Sequence, residues 1–527
     1  MSWFRIVRPV SDFGFSANLC TAAVGVEMTR SANTTLGIIG TGAMGRGIAQ
    51  IAAQAGCCVL LLDTREGAAA EAKDALGKQW GKLVEKGKMT AEAATAATAR
   101  LQIVADTRDL AYANAVVEAI VEQLDAKRAL FKELDDIVSA DCVLATNTSS
   151  LSVTAIAAGT ANPARVAGFH FFNPVPLMKV VEVVAGALTE SSALDLLTEL
   201  ASEWGHTPVR AQDTPGFIVN HAGRAYVTEA LAILREGVAD VTTIDTILRE
   251  AAGFRLGPFE LLDLTGLDVS HPVMESIYRQ YYDDPRYRPS PIAAQRLAAG
   301  LLGRKSGRGF YRYDGAPNSQ VPVSTAVPWA GPVWVSNAVP EAAAAVRALL
   351  AGLGVTPEIG AQPGAEALIV VTPLGTDVSA CVAAENLDGR RTIGIDTLLL
   401  DKHRTLMRSP ATDPAVAAQA QALFSADSVP AALIADSAGF VLQRVLASIV
   451  NIGCEIAQQG VCSPADLDRA VELGLGYPQG PLAWGDALGA ARLLVILRAL
   501  QARTGDARYR PSLWLVRRVE LGLSLRA

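Results

Sequence analysis

His170 stands alone among apolar residues in Gly168-Phe-His-Phe-Phe-Asn-Pro-Val, and Glu182 follows twelve residues on, inside Met178-Lys-Val-Val-Glu-Val. A carboxylate in an apolar, strand-like run is costly unless it is paired. Paired with an imidazole, it would fix the tautomer and raise the basicity of a group suited to moving a proton near neutral pH. A third polar stretch, Thr146-Asn-Thr-Ser-Ser-Leu, closes another apolar run and supplies Ser149. Of the five histidines, His206, His221, His271 and His403 lie in segments without other chemistry and read as surface or packing residues.

A second kind of chemistry is written between Thr34 and Asp63. Leu36–Gly40 is an apolar run of strand length that ends at a glycine, and Gly40, Gly42 and Gly45 form G-x-G-x-x-G. A helix pattern follows, with Met44, Ile48, Ile51, Ala52 and Ala55 on one face and Gly56 as its stop. A second apolar run, Cys57–Leu62, ends at Asp63, 23 residues after Gly40. The glycines allow a tight turn, close approach of a pyrophosphate and close helix–strand packing. The helix N-terminus presents free N–H groups to that pyrophosphate. Asp63 stands where an acid that binds an adenosine ribose is expected, which favours NAD over NADP. Glycine-rich turns are common, but strand, turn, helix, strand and terminal acid together make a dinucleotide-binding unit rather than a plain structural turn.

These residues must be positioned by several cores, since 527 residues exceed what one core organises. Half of the residues are apolar and 19% are charged, as in a well-buried globular protein. A net charge of −7 argues against a nucleic-acid partner, and no apolar run reaches the ~20 residues needed to span a bilayer. Seven cysteines without metal-ligand spacing point to a reducing, cytoplasmic compartment and to no metal site. Residues 1–33 read as a disordered extension, with Met28 as an alternative start.

Strand signals at Leu101–Ala105, Ala115–Glu118 and Cys142–Thr146, with helical patterns between, predict an α/β doubly wound parallel sheet over residues 34–212. Ligands bind at the carboxyl ends of such strands, so the turns carrying Glu118, Glu122, Asn147 and Ser149 should face a cofactor. From Asp213 the pattern becomes helical up to residue 314. Residues 315–340 carry no charge and five prolines, and read as a linker. Residues 341–435 hold strand-like runs but no G-x-G-x-x-G, and read as a reduced α/β region. Residues 436–527 repeat the helical pattern. Gly439-Phe440, Gly460, Asp468 and Gly480-Pro481 echo Gly216-Phe217, Gly237, Asp245 and Gly257-Pro258, each at an offset of 223.

The motifs G-x-G-x-x-G with Asp63, NTSSL, GFHFFNPV, VVEV and DTPGFIVN, in this order, resemble the 3-hydroxyacyl-CoA dehydrogenase family. The likeness runs from about Leu36 to Tyr313, and the late duplicated helical unit is similar to the long bacterial form associated with phenylacetate and 3-hydroxybutyryl-CoA metabolism. The resemblance implies NAD-dependent oxidation of a (S)-3-hydroxyacyl-CoA. In it His170 would take the 3-hydroxyl proton, Glu182 would support the imidazole, and Ser149 and Asn220 would hold the substrate oxygens. Glu122, Lys127 and Asn173 would line the NAD site beside Asp63, and Lys86 would meet the CoA moiety. Each has a plainer reading: Ser149 as a helix cap, Asn220 as a surface polar residue, Lys127 and Lys86 as solvated lysines. A distal carboxylate on the acyl group, as in 3-hydroxyadipyl-CoA, would call for a basic residue, Arg224 or Arg255.

Shifting Asn220 by 223 gives Gln443, and matching Val166–His170 to Thr392–Asp396 puts Asp396 where His170 stands. The second copy therefore reads as catalytically empty. In the resembling family the helical unit is a dimer surface, so an internal copy could cover it within one chain. The expectation is a pseudo-dimeric subunit, with a homo-oligomer possible. The alternatives are the short-acid β-hydroxyacid dehydrogenases, which use a lysine where this chain has His170 with Glu182, and a catalytically reduced NAD-binding structural or sensor module.

Overall fold

The computed structural model describes residues 29–527 except 316, 317, 319, 322 and 323. Its first layer is an eight-stranded sheet of β1 (Thr35–Ile39), β2 (Cys58–Leu62), β3 (Leu101–Ile103), β4 (Ala115–Glu118), β5 (Val143–Thr146), β6 (Val166–Phe171), β7 (Val180–Ala185) and β8 (Thr207–Gln212). The strand order is β3-β2-β1-β4-β5-β6-β7-β8, parallel throughout except where β6 meets β7. Most of these strands are apolar runs buried on both faces, as parallel strands covered by helices must be. Helix α1 (Ala43–Ala55) follows β1 and stops at Gly56, whose φ of +118° lets its N–H close the last turn on Ala52.

A helical layer follows, including α2 (Val219–Ala222) and α3 (Arg224–Arg235). The spacing of Asp245 and Gly257-Pro258 has a local cause. The Asp245 carboxylate accepts the N–H groups of Phe259 and Glu260 at the start of helix Pro258–Thr265. A Cβ on Gly257 would lie 2.1 Å from that carboxyl carbon. Asp468 caps helix Pro481–Leu488 through Leu482 and Ala483 in the same way, against Gly480. The repeat is thus a repeated cap.

A second sheet holds β9 (Val333–Val335), β10 (Leu368–Val371), β11 (Thr392–Ile395), β12 (Arg404–Arg408) and β13 (Ala431–Ala435), in the order β13-β12-β11-β10-β9. Only β11 and β12 run antiparallel. Order and directions match β4 through β8, so the second half keeps the last five strands and, among the described residues, has no counterparts of β1–β3, which carry the glycine loop.

Two expectations need correcting. Val333–Val335, inside the stretch read as a linker, is an edge strand paired with β10, and Trp329 donates its N–H to Gln419. Arg30–Asn33, read as part of the extension, is a 3₁₀ turn held by Glu203, which accepts the N–H groups of Arg30 and Ser31. Residues 1–28 of that extension lie outside the described residues.

The two helical units pack on each other through α3 and α4 (Val441–Gln458), while α5 (Pro464–Leu475) lies against α2, β7 and β8. The join has near two-fold symmetry. Gln212 donates its N–H to Val461, and Ala435 donates to Val238, the same pair displaced by 223 residues in each direction. At its centre Arg444 Nε lies 2.7 Å from Glu229 and its Nη1 2.5 Å from Glu236, and Tyr509 donates to Glu229.

Candidate active site

The antiparallel pairing of β6 with β7 sets His170 directly across from Glu182. His170 Nδ1 lies 2.5 Å from Glu182 Oε2, with His170 4% exposed and Glu182 fully buried. The other carboxylate oxygen accepts the N–H groups of Ile218 at 2.9 Å and Val219 at 2.8 Å. A carboxylate only accepts, so the imidazole donates from Nδ1 and keeps its lone pair on Nε2. The rings of Phe172 and Phe217 flank it, with centroids 4.4 and 5.8 Å away.

The strand-end turns bring the other polar residues to this point. Asn220 Nδ2 lies 3.5 Å from the carbonyl of Ser149, and Asn147 Oδ1 accepts the N–H of Phe171. Glu122 organises the serine-rich turn, accepting from the Thr148 hydroxyl, the Ser149 and Ser150 N–H groups and the Ser150 hydroxyl. Burial alone would raise the Glu122 pKa, but the Thr148 hydroxyl, the nearby Lys127 charge and these N–H groups outweigh it and hold it below its ordinary value.

Lys127 is 1% exposed, with Nζ 2.6 Å from Glu118 and 3.2 Å from Glu122. It is held between these two carboxylates. Glu118, expected to face a cofactor, is fully buried between Lys127 and the Thr146 hydroxyl. Its position follows from the last residue of a central strand pointing into the helix layer.

The glycine loop fits a dinucleotide. Gly40 has φ +90°, with Ala119 O 2.5 Å from any Cβ placed there, and a Cβ on Gly45 would fall 1.8 Å from Gly40 O. Gly42 has nothing within 4 Å of its Cβ position, which leaves an open cradle at the N-cap of α1. Asp63 closes the cradle's far side, accepting the N–H and hydroxyl of Thr41 and the N–H of Arg65. Burial opposes ionisation of Asp63, yet these hydrogen bonds prevail and lower its pKa. Asn173, with Arg46 and Gln50 of α1, lines a neighbouring cavity of about 270 Å³. Lys86 is exposed at the end of helix Ala68–Glu85, outside this hydrogen-bonded network.

The remaining four histidines are packing residues, none more than 5% exposed. His221 bridges the hydroxyls of Tyr281 and Tyr287, and burial drives its pKa down to about 3. Two contributors to the site escaped the sequence reading. Thr41 donates twice to Asp63. Asp213 accepts from Ser152, Val153 and Thr154, tying DTPGF to the NTSSL turn. The signal for Asp213 was its place at the head of a motif; Thr41 offered none.

Sheet register also defines the corresponding site of the second half. Thr146 pairs with Gly168 as Val371 pairs with Gly394, so Asp396 takes the rung of His170 and Thr405, across from it, that of Glu182. The same counting gives Leu374 for Ser149. Gln443 stands for Asn220 and fills the space, donating to Pro373 O and Asp396 and accepting from Gly375 N–H.

Comparison with known proteins accords with this geometry. Residues 35–214 match the family model described as 3-hydroxyacyl-CoA dehydrogenase, NAD binding domain. Residues 216–313 and again 439–527 match the one described as 3-hydroxyacyl-CoA dehydrogenase, C-terminal domain. The chain is 38% identical over 481 residues to a 3-hydroxyadipyl-CoA dehydrogenase of Escherichia coli, covering 90% of this chain and 95% of that one. It is 43% identical over 277 residues to a probable 3-hydroxybutyryl-CoA dehydrogenase of Deinococcus radiodurans, 53% of this chain and 99% of the relative. Among solved structures, a 3-hydroxybutyryl-CoA dehydrogenase from Escherichia coli superposes with a TM-score of 0.82 at 36% identity, over 93% of this chain and 98% of the other.

Proposed function

The chain belongs to the 3-hydroxyacyl-CoA dehydrogenase family and is an NAD-dependent dehydrogenase, and on that premise we propose how its residues oxidise a (S)-3-hydroxyacyl-CoA to the 3-oxoacyl-CoA. His170 Nε2 takes the proton of the 3-hydroxyl. Glu182 holds Nδ1–H and balances the charge that the ring acquires. Its own charge is spread over the two N–H groups that start α2, so the pair remains aligned through the cycle. Ser149 and Asn220 hold the substrate oxygens. Bound NAD supplies the hydride acceptor. Gly42 admits its pyrophosphate, Asp63 takes its ribose hydroxyls and disfavours a 2′-phosphate, and Glu122 and Asn173 line the nicotinamide side. Lys127 keeps Glu122 in place, and Lys86 meets the CoA moiety.

The observation that carries this reading is the buried His170–Glu182 contact beside an open glycine cradle. The names of the relatives leave the acyl group open between 3-hydroxybutyryl and 3-hydroxyadipyl. The second half takes the place of a partner's helical unit, making the chain a pseudo-dimeric subunit; the mirrored hydrogen bonds across the join support this. Six unpaired cysteines among the described residues support a reducing compartment, the cytoplasm. No helix among those residues is long and apolar enough to cross a membrane.

The test is NADH oxidation with acetoacetyl-CoA, run beside NADPH and beside free acetoacetate. Turnover with the CoA ester and NADH is expected. Turnover of free acetoacetate at a similar rate, or of no acyl-CoA, would overturn the reading.

A further inference from the structure

The N–H groups of Ile218 and Val219, which hold the Glu182 carboxylate, open α2 on a strained turn. Phe217, just before them, has φ +49°, in the left-handed region that a bulky side chain rarely adopts. Its counterpart 223 residues on, Phe440, has φ −73° and leads straight into α4. On the rung of Glu182 that half has Thr405, whose hydroxyl carries no charge to be held. Of the two halves, the strained turn belongs to the one with an acid to hold. α2 itself is four residues long, and so short a helix has no rigidity of its own. Val219 must be fixed from outside.

The support comes from the second half. α5 lies against α2, β7 and β8, and Gly474 near its end faces Val219. A Cβ at Gly474 would stand 3.0 Å from both methyl carbons of Val219 and 3.4 Å from a methyl of Val180. Both valines are buried, and Val180, two residues before Glu182 on β7, shares its face of the strand. The same segment reaches the acid electrostatically: burial, and then the charges of Asp466 and Glu182, raise the pKa of the Cys462 thiol. The backbone does not call for glycine at 474. The residue lies inside the helix, where alanine is the better helix former, and the left-handed glycine that ends the helix is Gly476. The residue 223 positions earlier is Ala251, followed by Gly253 in the same left-handed conformation. The smaller residue therefore backs the site with the His170–Glu182 pair, and the larger one backs the empty site.

We propose that Gly474 is a positioning residue for the acid–base pair. By leaving room for Val219 and no more, the catalytically empty half sets where the two N–H groups hold Glu182, and through Glu182 the aim of His170. This rests on the dehydrogenase reading above and gives the second half a part in the turnover of the first.

The test measures kcat and KM of the full chain for acetoacetyl-CoA with NADH, together with the NADH dissociation constant. Gly474→Ala forces Val219 to give by a few tenths of an ångström. Misplacing a catalytic pair on that scale should lower kcat by roughly 10-fold. KM and the NADH dissociation constant should stay within about twofold, as for an interaction that matters in the transition state alone. In a Val219→Ala background, where the room is restored, adding Gly474→Ala should change kcat by less than about twofold. Ala251→Val, an enlargement on the other side of the join, should leave kcat within about twofold of wild type. Gly474→Ala with the wild-type kcat overturns the proposal. So does a loss of equal size in the Val219→Ala background, or one that Ala251→Val reproduces. A fall in kcat with a proportional rise in both KM and the NADH dissociation constant overturns it too, as general loosening of the fold. Wild-type enzyme inactive on acetoacetyl-CoA would instead sink the dehydrogenase reading itself, and the proposal with it.

Discussion

Asp396 stands in the second sheet on the rung that His170 holds in the first, and the exchange puts a buried acid held by Gln443 where the first half has an imidazole. Burial raises its pKa to about 6, against the partial relief of the Leu398 N–H and the Gln443 amide. An acid that binds its proton more tightly when folded makes the native state lose stability as pH climbs from the ordinary carboxylate range to about 6, with no further loss above. Asp396→Asn should remove that decline, gaining on the order of 2–3 kcal/mol at pH 8 over its effect at pH 4. Chemical unfolding at both pH values measures it. Parallel pH profiles for variant and wild type would mean the carboxyl does not titrate in this range.

His170→Gln should cut kcat by ~10²- to 10⁴-fold, the usual worth of a positioned acid–base group, and leave the NADH dissociation constant within about twofold. Fluorescence titration of NADH alongside the rate assay separates the two. A variant that no longer binds NADH would make His170 a structural residue.

The glycines of the loop should part company under substitution. A Cβ at Gly45 meets the Gly40 carbonyl at 1.8 Å, so Gly45→Ala should lower the melting temperature. Gly42 faces open space, so Gly42→Ala should fold normally and bind NADH roughly 10-fold more weakly. Equal melting temperatures with equal NADH affinity would refute the cradle.

Arg444→Met leaves Glu229, 3% exposed, in the join without its nearest charge. Removing one member of a buried pair costs about 3–5 kcal/mol, so the urea midpoint should fall clearly. A change below about 1 kcal/mol would mean that Arg508 and Tyr509 suffice.

The first half was readable because its signals are local. β4 spans the expected residues Ala115–Glu118, and the glycine loop has the spacing its turn requires. The His170–Glu182 pair was legible as two polar residues that apolar runs could not tolerate singly. What escaped depends on distant partners. Val333–Val335 is three apolar residues among prolines, too short to show alternation, and becomes a strand only against β10. Arg30 and Ser31 are ordered by Glu203, more than 170 residues away. The second sheet lacks the glycine loop that made the first recognisable, so beyond the match of Thr392–Asp396 to Val166–His170 its kinship with β4–β8 appears only in strand order, direction and register. Nothing near His221 in the sequence announces the two tyrosines that enclose it.

The mirrored bonds from Gln212 to Val461 and from Ala435 to Val238 join surfaces that belong to one polypeptide. Their formation is therefore a first-order event, set by an effective concentration that tethering fixes. Dilution, which separates two-chain assemblies, leaves this contact as populated at nanomolar protein as in a crowded cell.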